Sequence, residues 1–395
     1  MTQALVIGAG PAGLMAAETL ASAGLSVIVA DAKPSVGRKF LMAGKSGLNI
    51  TKDEAQVPFL EAFSEAAPVL RPALEAFGPD AVQDWARGLG QEVFTGSSGR
   101  VFPVAMKASP LLRAWLLRLE AFGVDIRTRW RWTGFDDRFR FDTPQGVQVL
   151  APDVAILACG GSSWARLGSD GRWTALLPDV PLAPFQPANM GFAVAWSGHM
   201  TPHLGHPVKG IALHAGDTVS RGEIVLSASG IEGGGIYAVS RALREGAGLR
   251  LDVLPDLSLA QVTERLARSR GKATLSNHLR KVLRLDPVKL ALLMEFGQPV
   301  PKDAVSQAAL VKDLPVPLCG PRPMDQAIST AGGLRFAALD EGLMIRQLPG
   351  VFAAGEMLDW EAPTGGYLIT GALATGRWAA QHAVRWAADQ GAKAP

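Results

Sequence analysis

Gly8-Ala9-Gly10-Pro11-Ala12-Gly13 is a GxGxxG run, three glycines spaced to bring backbone N–H groups close to an anion. It follows an apolar stretch at residues 4–7 and opens a small-residue segment. An acid, Asp31, stands 18 residues past Gly13 at the end of the next apolar run, followed by Ala32 and Lys33. In that context the glycines allow a tight turn and close approach of a pyrophosphate, and the helix N-terminus favours its negative charge. Asp31 would accept hydrogen bonds from an adenosine ribose. The bland alternative is a tight turn without a ligand. The fingerprint alone does not separate NAD from FAD.

Two later stretches carry related chemistry. The apolar run 153–161, DVAILACGG, reads as a buried strand ending in a small-residue turn that includes Ala158, Cys159 and Gly160. In flavoproteins of the glutathione-reductase type such a turn brings the chain back beside the cofactor. Redox chemistry at Cys159 would need a partner thiol or a local positive charge, and the sequence places neither beside it. Near the end, AAGEMLDWEAPTGGYLITGALATG places Gly355-Glu356 at a strand end, where the same flavoproteins carry an acid for the ribityl chain or phosphates. Ten residues on, Gly365-Gly366 precede an apolar helix whose N-terminus would face the flavin pyrimidine edge.

Weaker signals lie between. Residues 223–253 imitate a second βαβ unit, with Gly230, Gly233, Gly234, Gly235 and Asp252, but the glycine spacing departs from the fingerprint. They read as an insert turn, with a nucleotide or substrate site as the alternative. His199, His203 and His206 have ligand-like spacing, broken by Pro202 and Gly205, so no metal site is expected. Asn277-His278 reads as structural. Arg127, Arg129, Arg131, Arg138 and Arg140 alternate with acids as a solvated strand pair would.

The elements that must position these groups follow from periodicity. A compact βαβ unit spans 4–31, with Gly24 stopping its helix. Residues 37–51 read as a polar glycine-rich loop and 66–90 as broken helix. A helix opened by Ser109-Pro110 carries the stripe Leu112, Trp115, Leu116, Leu119 and Phe122. Segments 124–135, 138–143 and 146–150 alternate like an antiparallel meander. Strand-like character covers 208–231, helical character 236–246 and 258–296, two strands 343–357, and a last helix 371–389. The proline-rich stretch 178–208 reads as the exit from a first domain. The architecture expected is α/β and discontinuous, with one domain over 1–185 and 325–395 and an insert over 186–324; the likeness of the two later stretches to glutathione-reductase-type flavoproteins implies that the first is a Rossmann-like FAD-binding domain.

Composition sets the outer limits. The chain has 395 residues, 48% hydrophobic and 19% charged, with net charge +3 and no basic block. That is a globular balance which argues against nucleic acid as a partner. Cys159 and Cys319 form neither a CxxC pair nor a zinc spacing, and they suit a reducing cytosol. A strand begins almost at once and the longest uncharged stretch, 180–208, holds five prolines. The expectation is a cytoplasmic protein with no membrane span, acting on a small molecule.

The ordered motifs GAGPAG, GRKFLMAGKSGLNIT, GRVFPVAMKA, LACGGSS, TLSNHLR, AISTAGG and GEMLDWEAPTGGY resemble the BaiN-like, aminoacetone-oxidase-type family of NAD(P)/FAD-dependent oxidoreductases over nearly the whole chain. The resemblance implies an insert with a β-barrel-like part and a small helical part. It implies a cofactor-facing set of Gly8, Gly10, Pro11, Ala12, Gly13, Asp31, Ala32, Lys33, Arg38, Lys39, Gly44, Lys45, Ser46, Gly47, Asn49, Trp132, Ala158, Gly160, Gly355, Glu356, Gly365, Gly366, Tyr367 and Leu368. It implies FAD, whose N5 accepts or donates hydride, with two donors open: NAD(P)H docking transiently, or a small organic substrate such as an amine with oxygen as acceptor. The chain departs from the family at Gly44-Lys45-Ser46-Gly47-Leu48-Asn49, at Ser227-Ala228, and at Leu368, where the family commonly has Asn. No catalytic acid or base can be placed from spacing. Alternatives are a non-catalytic flavin-binding redox sensor and, less favoured by the balanced charge, a tRNA-modifying flavoprotein.

Overall fold

The computed structural model describes residues 2–45 and 47–393, with Lys393 described by its backbone alone. The chain divides into two compact units, residues 1–186 with 329–395 and residues 187–328. From composition the junctions were expected after 185 and before 325.

The first unit is built on a five-stranded parallel sheet. Its order is Val351–Ala353, Val154–Leu157, Gln3–Ile7, Ser26–Asp31 and Asp125–Thr128. Apart from the edge strand Asp125–Thr128, these runs are mostly apolar because both faces of the sheet are covered, and Ala4, Val6, Val29 and Leu157 are fully buried. From the central strand Gln3–Ile7 the chain first builds towards Asp125–Thr128, then returns to the other side at Val154–Leu157. The order therefore reverses beside the glycine loop, and such a switch point at the carboxyl ends of strands is where open α/β sheets bind ligands.

The opening helix, Pro11–Ser22, starts on a proline at its first turn, and Gly24, at φ +87°, takes the chain out of it. Its small residues let the final helix, Tyr367–Lys393, approach closely: a Cβ on Gly376 would stand 2.2 Å from the Ala12 carbonyl oxygen.

Several elements differ from the sequence expectation. The loop 37–51 contains a helix, Arg38–Ala43, because a run of good helix formers sits between two glycines and buries Phe40. In helix Ala108–Ala121, Leu111, Leu112, Trp115 and Leu119 make the buried stripe. Phe122 caps the helix end and is 45% exposed. Residues 125–128 join the parallel sheet as its edge, and the turn at Arg129 (φ +59°) separates them from the meander Arg131–Phe135, Phe139–Thr143 and Gly146–Leu150. Over 343–357 one strand forms, Val351–Ala353, with Met344 held by a single bridge to Phe352.

The second unit carries a seven-stranded sheet, edged by Leu314–Val316 and Gly320–Pro321, and a helical part. All its assigned pairings are antiparallel. The polar breaks across 258–304 are helix caps: Ser258, Thr274, Asp286 and Asp303 each accept a backbone N–H of the helix they start. The imitation βαβ at 223–253 is part of this antiparallel sheet. Its Asp252 pairs with the Lys312 ammonium at 2.6 Å.

Candidate cofactor site

The three loop glycines do three different jobs. Gly8 adopts φ +105°, and a Cβ there would lie 2.3 Å from the Ala158 carbonyl oxygen. A Cβ on Gly13 would strike the Gly8 carbonyl oxygen at 1.8 Å and meet the Val6 side chain at 3.2 Å, so Gly13 lets the helix lie on its strand. A Cβ on Gly10 would have nothing within 4 Å. Gly10 caps the helix with no side-chain hydrogen bond. Two glycines are thus required by the protein's own packing. The third leaves open space at a helix N-terminus, where first-turn N–H groups lack intrahelical partners and a pyrophosphate can approach.

Asp31 fixes this loop. Its carboxylate accepts the Ala9 N–H at 2.9 Å and the Lys33 N–H at 2.7 Å. Burial raises its pKa above the ordinary carboxylate value, against the two backbone N–H bonds and the nearby charges of Lys33 and Arg38. Each oxygen keeps a lone pair for a ribose hydroxyl. Ala32 and Lys33 follow at the strand end, both half-buried. Arg38 donates to Ser35 at 3.1 Å, but its Nε is buried without a partner. The Asn49 Oδ1 is buried and unpartnered too. Such orphaned polar atoms are expected where a ligand completes the hydrogen bonding.

The late stretch closes on the same place. Gly355 turns at φ +80°, with its missing Cβ 2.7 Å from the Ala12 methyl. It is held by the Thr375 hydroxyl on its N–H and the Trp360 indole on its carbonyl. Glu356 accepts the Thr330 N–H at 3.0 Å and pairs with Lys39, whose ammonium also donates to the Ser163 hydroxyl at 2.7 Å. The Thr330 hydroxyl in turn accepts the N–H groups of Ser162 and Ser163. One network therefore ties together the helix Arg38–Ala43, the turn after Val154–Leu157, the strand Ser329–Leu334 and the Gly355 turn. Gly160 (φ +73°) lies in that turn with its missing Cβ 3.0 Å from the Ser169 hydroxyl oxygen. Sequence reading assigned no role to Ser163 or Thr330, although both lie in the quoted strings LACGGSS and AISTAGG.

Gly365 and Gly366 adopt φ +125° and +106° and start the final helix. A Cβ on Gly366 would sit 2.3 Å from the Thr51 backbone. The Tyr367 ring packs on Phe59 and Phe63, and Phe63 packs in turn on Trp360. Its hydroxyl donates to Glu54 at 2.5 Å and accepts from Lys52 at 2.8 Å. Burial raises the phenol pKa, helped by Glu54 and opposed by Lys52. Leu368 is half-buried in the first turn of the same helix.

Other residues of the expected set have packing reasons of their own. Gly44 lets the chain lie on Ala108, with its missing Cβ 2.7 Å from that methyl, and Gly47 (φ +120°) lies against Met106. Lys45 is exposed, and Ser46 lies outside the described residues. Trp132 is buried in its own meander, with the indole N–H bonded to the Gly134 carbonyl and the ring on Phe139. Burial pushes the Cys159 thiol up to about 12, with Asp31 and Asp170 adding to it, so it is a protonated thiol and not a nucleophile.

The HI0933-like protein Rossmann domain family matches residues 2–382. A curated relative, the 3-dehydro-bile acid delta(4,6)-reductase of Clostridium scindens, is 28% identical over 402 residues, covering 94% of this chain and 96% of that one. A flavocytochrome c3 fumarate reductase has a similar fold at TM-score 0.54 and 16% identity, over 98% of this chain and 78% of the other. The 3-ketosteroid-delta4-(5alpha)-dehydrogenase of Rhodococcus jostii RHA1 superposes at TM-score 0.51 and 17% identity, over 97% of both chains. No helix among the described residues is long and apolar enough to cross a membrane. The chain belongs to the HI0933-like protein Rossmann domain family and is an FAD-dependent oxidoreductase.

Proposed function

We propose that this chain is an NAD(P)H-linked reductase that adds two electrons and two protons across a carbon–carbon double bond conjugated to a ketone. The overall balance is substrate, NAD(P)H and one proton giving reduced substrate and NAD(P)+. The FAD cradle is the observation that carries the redox reading, above all the open space beside Gly10 between two glycines closed by packing. The substrate class is supported by the bile acid reductase, whose similarity runs nearly end to end in both chains.

FAD, when bound, supplies two-electron hydride transfer between the nicotinamide and the substrate. The chain's own residues hold and orient it. N–H groups at the start of the opening helix would take the pyrophosphate, Asp31 would take the adenosine ribose, and Glu356 with Lys39 would hold the ribityl side. The N-terminus of the final helix would favour negative charge at the pyrimidine edge. The one complete fingerprint in the sequence would hold FAD, so NAD(P)H would dock transiently without a Rossmann unit of its own. Two unpaired cysteines and a nicotinamide donor support a cytoplasmic setting for this reaction.

The test is anaerobic. NADPH or NADH should bleach the flavin of the purified protein, and a conjugated cyclic ketone should restore its colour with a product two hydrogens heavier. Protein that neither contains nor takes up flavin would sink the whole reading. Flavin reduced by no nicotinamide, but directly by an amine, would replace the reductase with an oxidase.

A further inference from the structure

A groove lies away from the glycine loop. Within the first unit, the second half of the opening helix, the helices Pro79–Gly88 and Ala108–Ala121, and the final helix enclose a groove of about 800 Å³. Its wall is apolar at Phe77, Trp85, Phe122 and Val384. Phe122 is 45% exposed at the groove and offers an aromatic face to a ligand there.

The charges in the groove are not balanced. Glu18 is fully engaged: Arg118 donates to one oxygen at 2.9 Å, and the Trp115 and Trp85 indoles donate to the other. Arg118 is engaged with Glu18 and with the Gly88 carbonyl. Asp84 pairs with Arg87. Arg377 and Arg385 remain. Arg377 lies over the Phe77 ring at 5.1 Å, and its Nε is buried with no hydrogen-bond partner. Their spacing through Gln381 is two steps of four, which lines all three along one stripe of the final helix facing the groove. The result is two uncompensated guanidinium groups above an aromatic floor, in a volume typical of small-molecule sites.

We propose that this groove binds an amphiphilic monoanion, a carboxylate on a medium-length apolar body, with Arg377 and Arg385 on the carboxylate and Phe77 and Phe122 under the body. A planar carboxylate matches the guanidinium fork, and the apolar remainder covers the exposed ring. The site is independent of the redox reading and uses none of its residues.

Calorimetric titration of the FAD-loaded protein with decanoate tests it. Saturable one-to-one binding is expected. Decanol, with the chain but no charge, and inorganic phosphate, with charge but no chain, should each bind at least about tenfold more weakly. Arg385→Gln and Phe122→Ser change exposed residues and should each weaken decanoate about tenfold, as should Arg377→Gln. The absence of saturable decanoate binding overturns the proposal. Equal binding of decanol or of phosphate overturns the amphiphile, and unchanged affinity in Arg385→Gln and Phe122→Ser overturns the location. If Arg377→Gln fails to fold, those two variants still decide.

Discussion

Gly10 and Gly13 stand three residues apart, and a single added methyl group should do opposite things at them. Gly10→Ala places its Cβ in open space with an ordinary backbone conformation (φ −84°), so the fold should keep its melting temperature while FAD affinity drops about tenfold or more. Gly13→Ala drives a Cβ into the Gly8 carbonyl and should cost about 3 kcal/mol of stability before any ligand is considered. Thermal melts beside flavin titration separate the two. Cys159 gives a second check: with its thiol pushed up to about 12, it should resist iodoacetamide at pH 8 in the folded protein, while exposed Cys319 reacts. Fast labelling of Cys159 would contradict the raised thiol pKa. Asp31 gives a third. A carboxyl whose folded pKa is raised stabilises the fold at pH below the unfolded value of 3.8 and loses that contribution as pH climbs through the folded value. In flavin-free protein, the stability of wild type relative to Asp31→Asn should therefore fall as pH rises from about 3 to 6.

At the scale of elements, the pattern of success in reading the sequence has a physical cause. The buried strands and the opening helix are local objects: apolar runs with glycine and proline punctuation state their limits. Their pairing partners are not local. Residues 125–128 alternate as a meander strand would, yet they join the parallel sheet because Ser26–Asp31 offers an unpaired edge and Arg129 turns the chain out. Phe122 belongs by period to the stripe of its helix, but the helix ends one residue earlier and leaves it on the surface. The glycines and acids of the cradle were legible because their chemistry fixes their spacing. Lys39, Ser163, Thr330 and Glu356 converge from four separate segments, and only folding brings them together. For the same reason Gly44 and Tyr367, expected at the cofactor from resemblance, have a packing role on Ala108 and a hydroxyl spent on Glu54 and Lys52. In the second unit, Asp252→Asn leaves the half-buried Lys312 ammonium without its carboxylate. It should destabilise that unit by about 3 kcal/mol, as chemical denaturation would report.

Across the whole molecule, the division into two units separates the effects of ligand. FAD bound to the folded first unit stabilises it by mass action, about 2.7 kcal/mol at a hundredfold excess over the dissociation constant. Hydrogen exchange should show this as slower amide exchange in Gln3–Ile7 and Val154–Leu157 when flavin is added. Exchange in Leu259–Leu266 and Leu275–Leu283 of the second unit should change far less. Equal slowing in both units would mean that they unfold as one cooperative body.

Gly355 and Gly376 both rest on Ala12, so the opening helix gains the last of its neighbours only when residues more than 340 positions downstream arrive. On the ribosome, a nascent chain that has emerged as far as Leu157 presents the pyrophosphate loop with one wall missing and the sheet edge beside it bare. Flavin capture thus belongs to the finished polypeptide, and a ribosome stalled in the second unit leaves a chain with an open apolar edge, a substrate for chaperones rather than an apoenzyme.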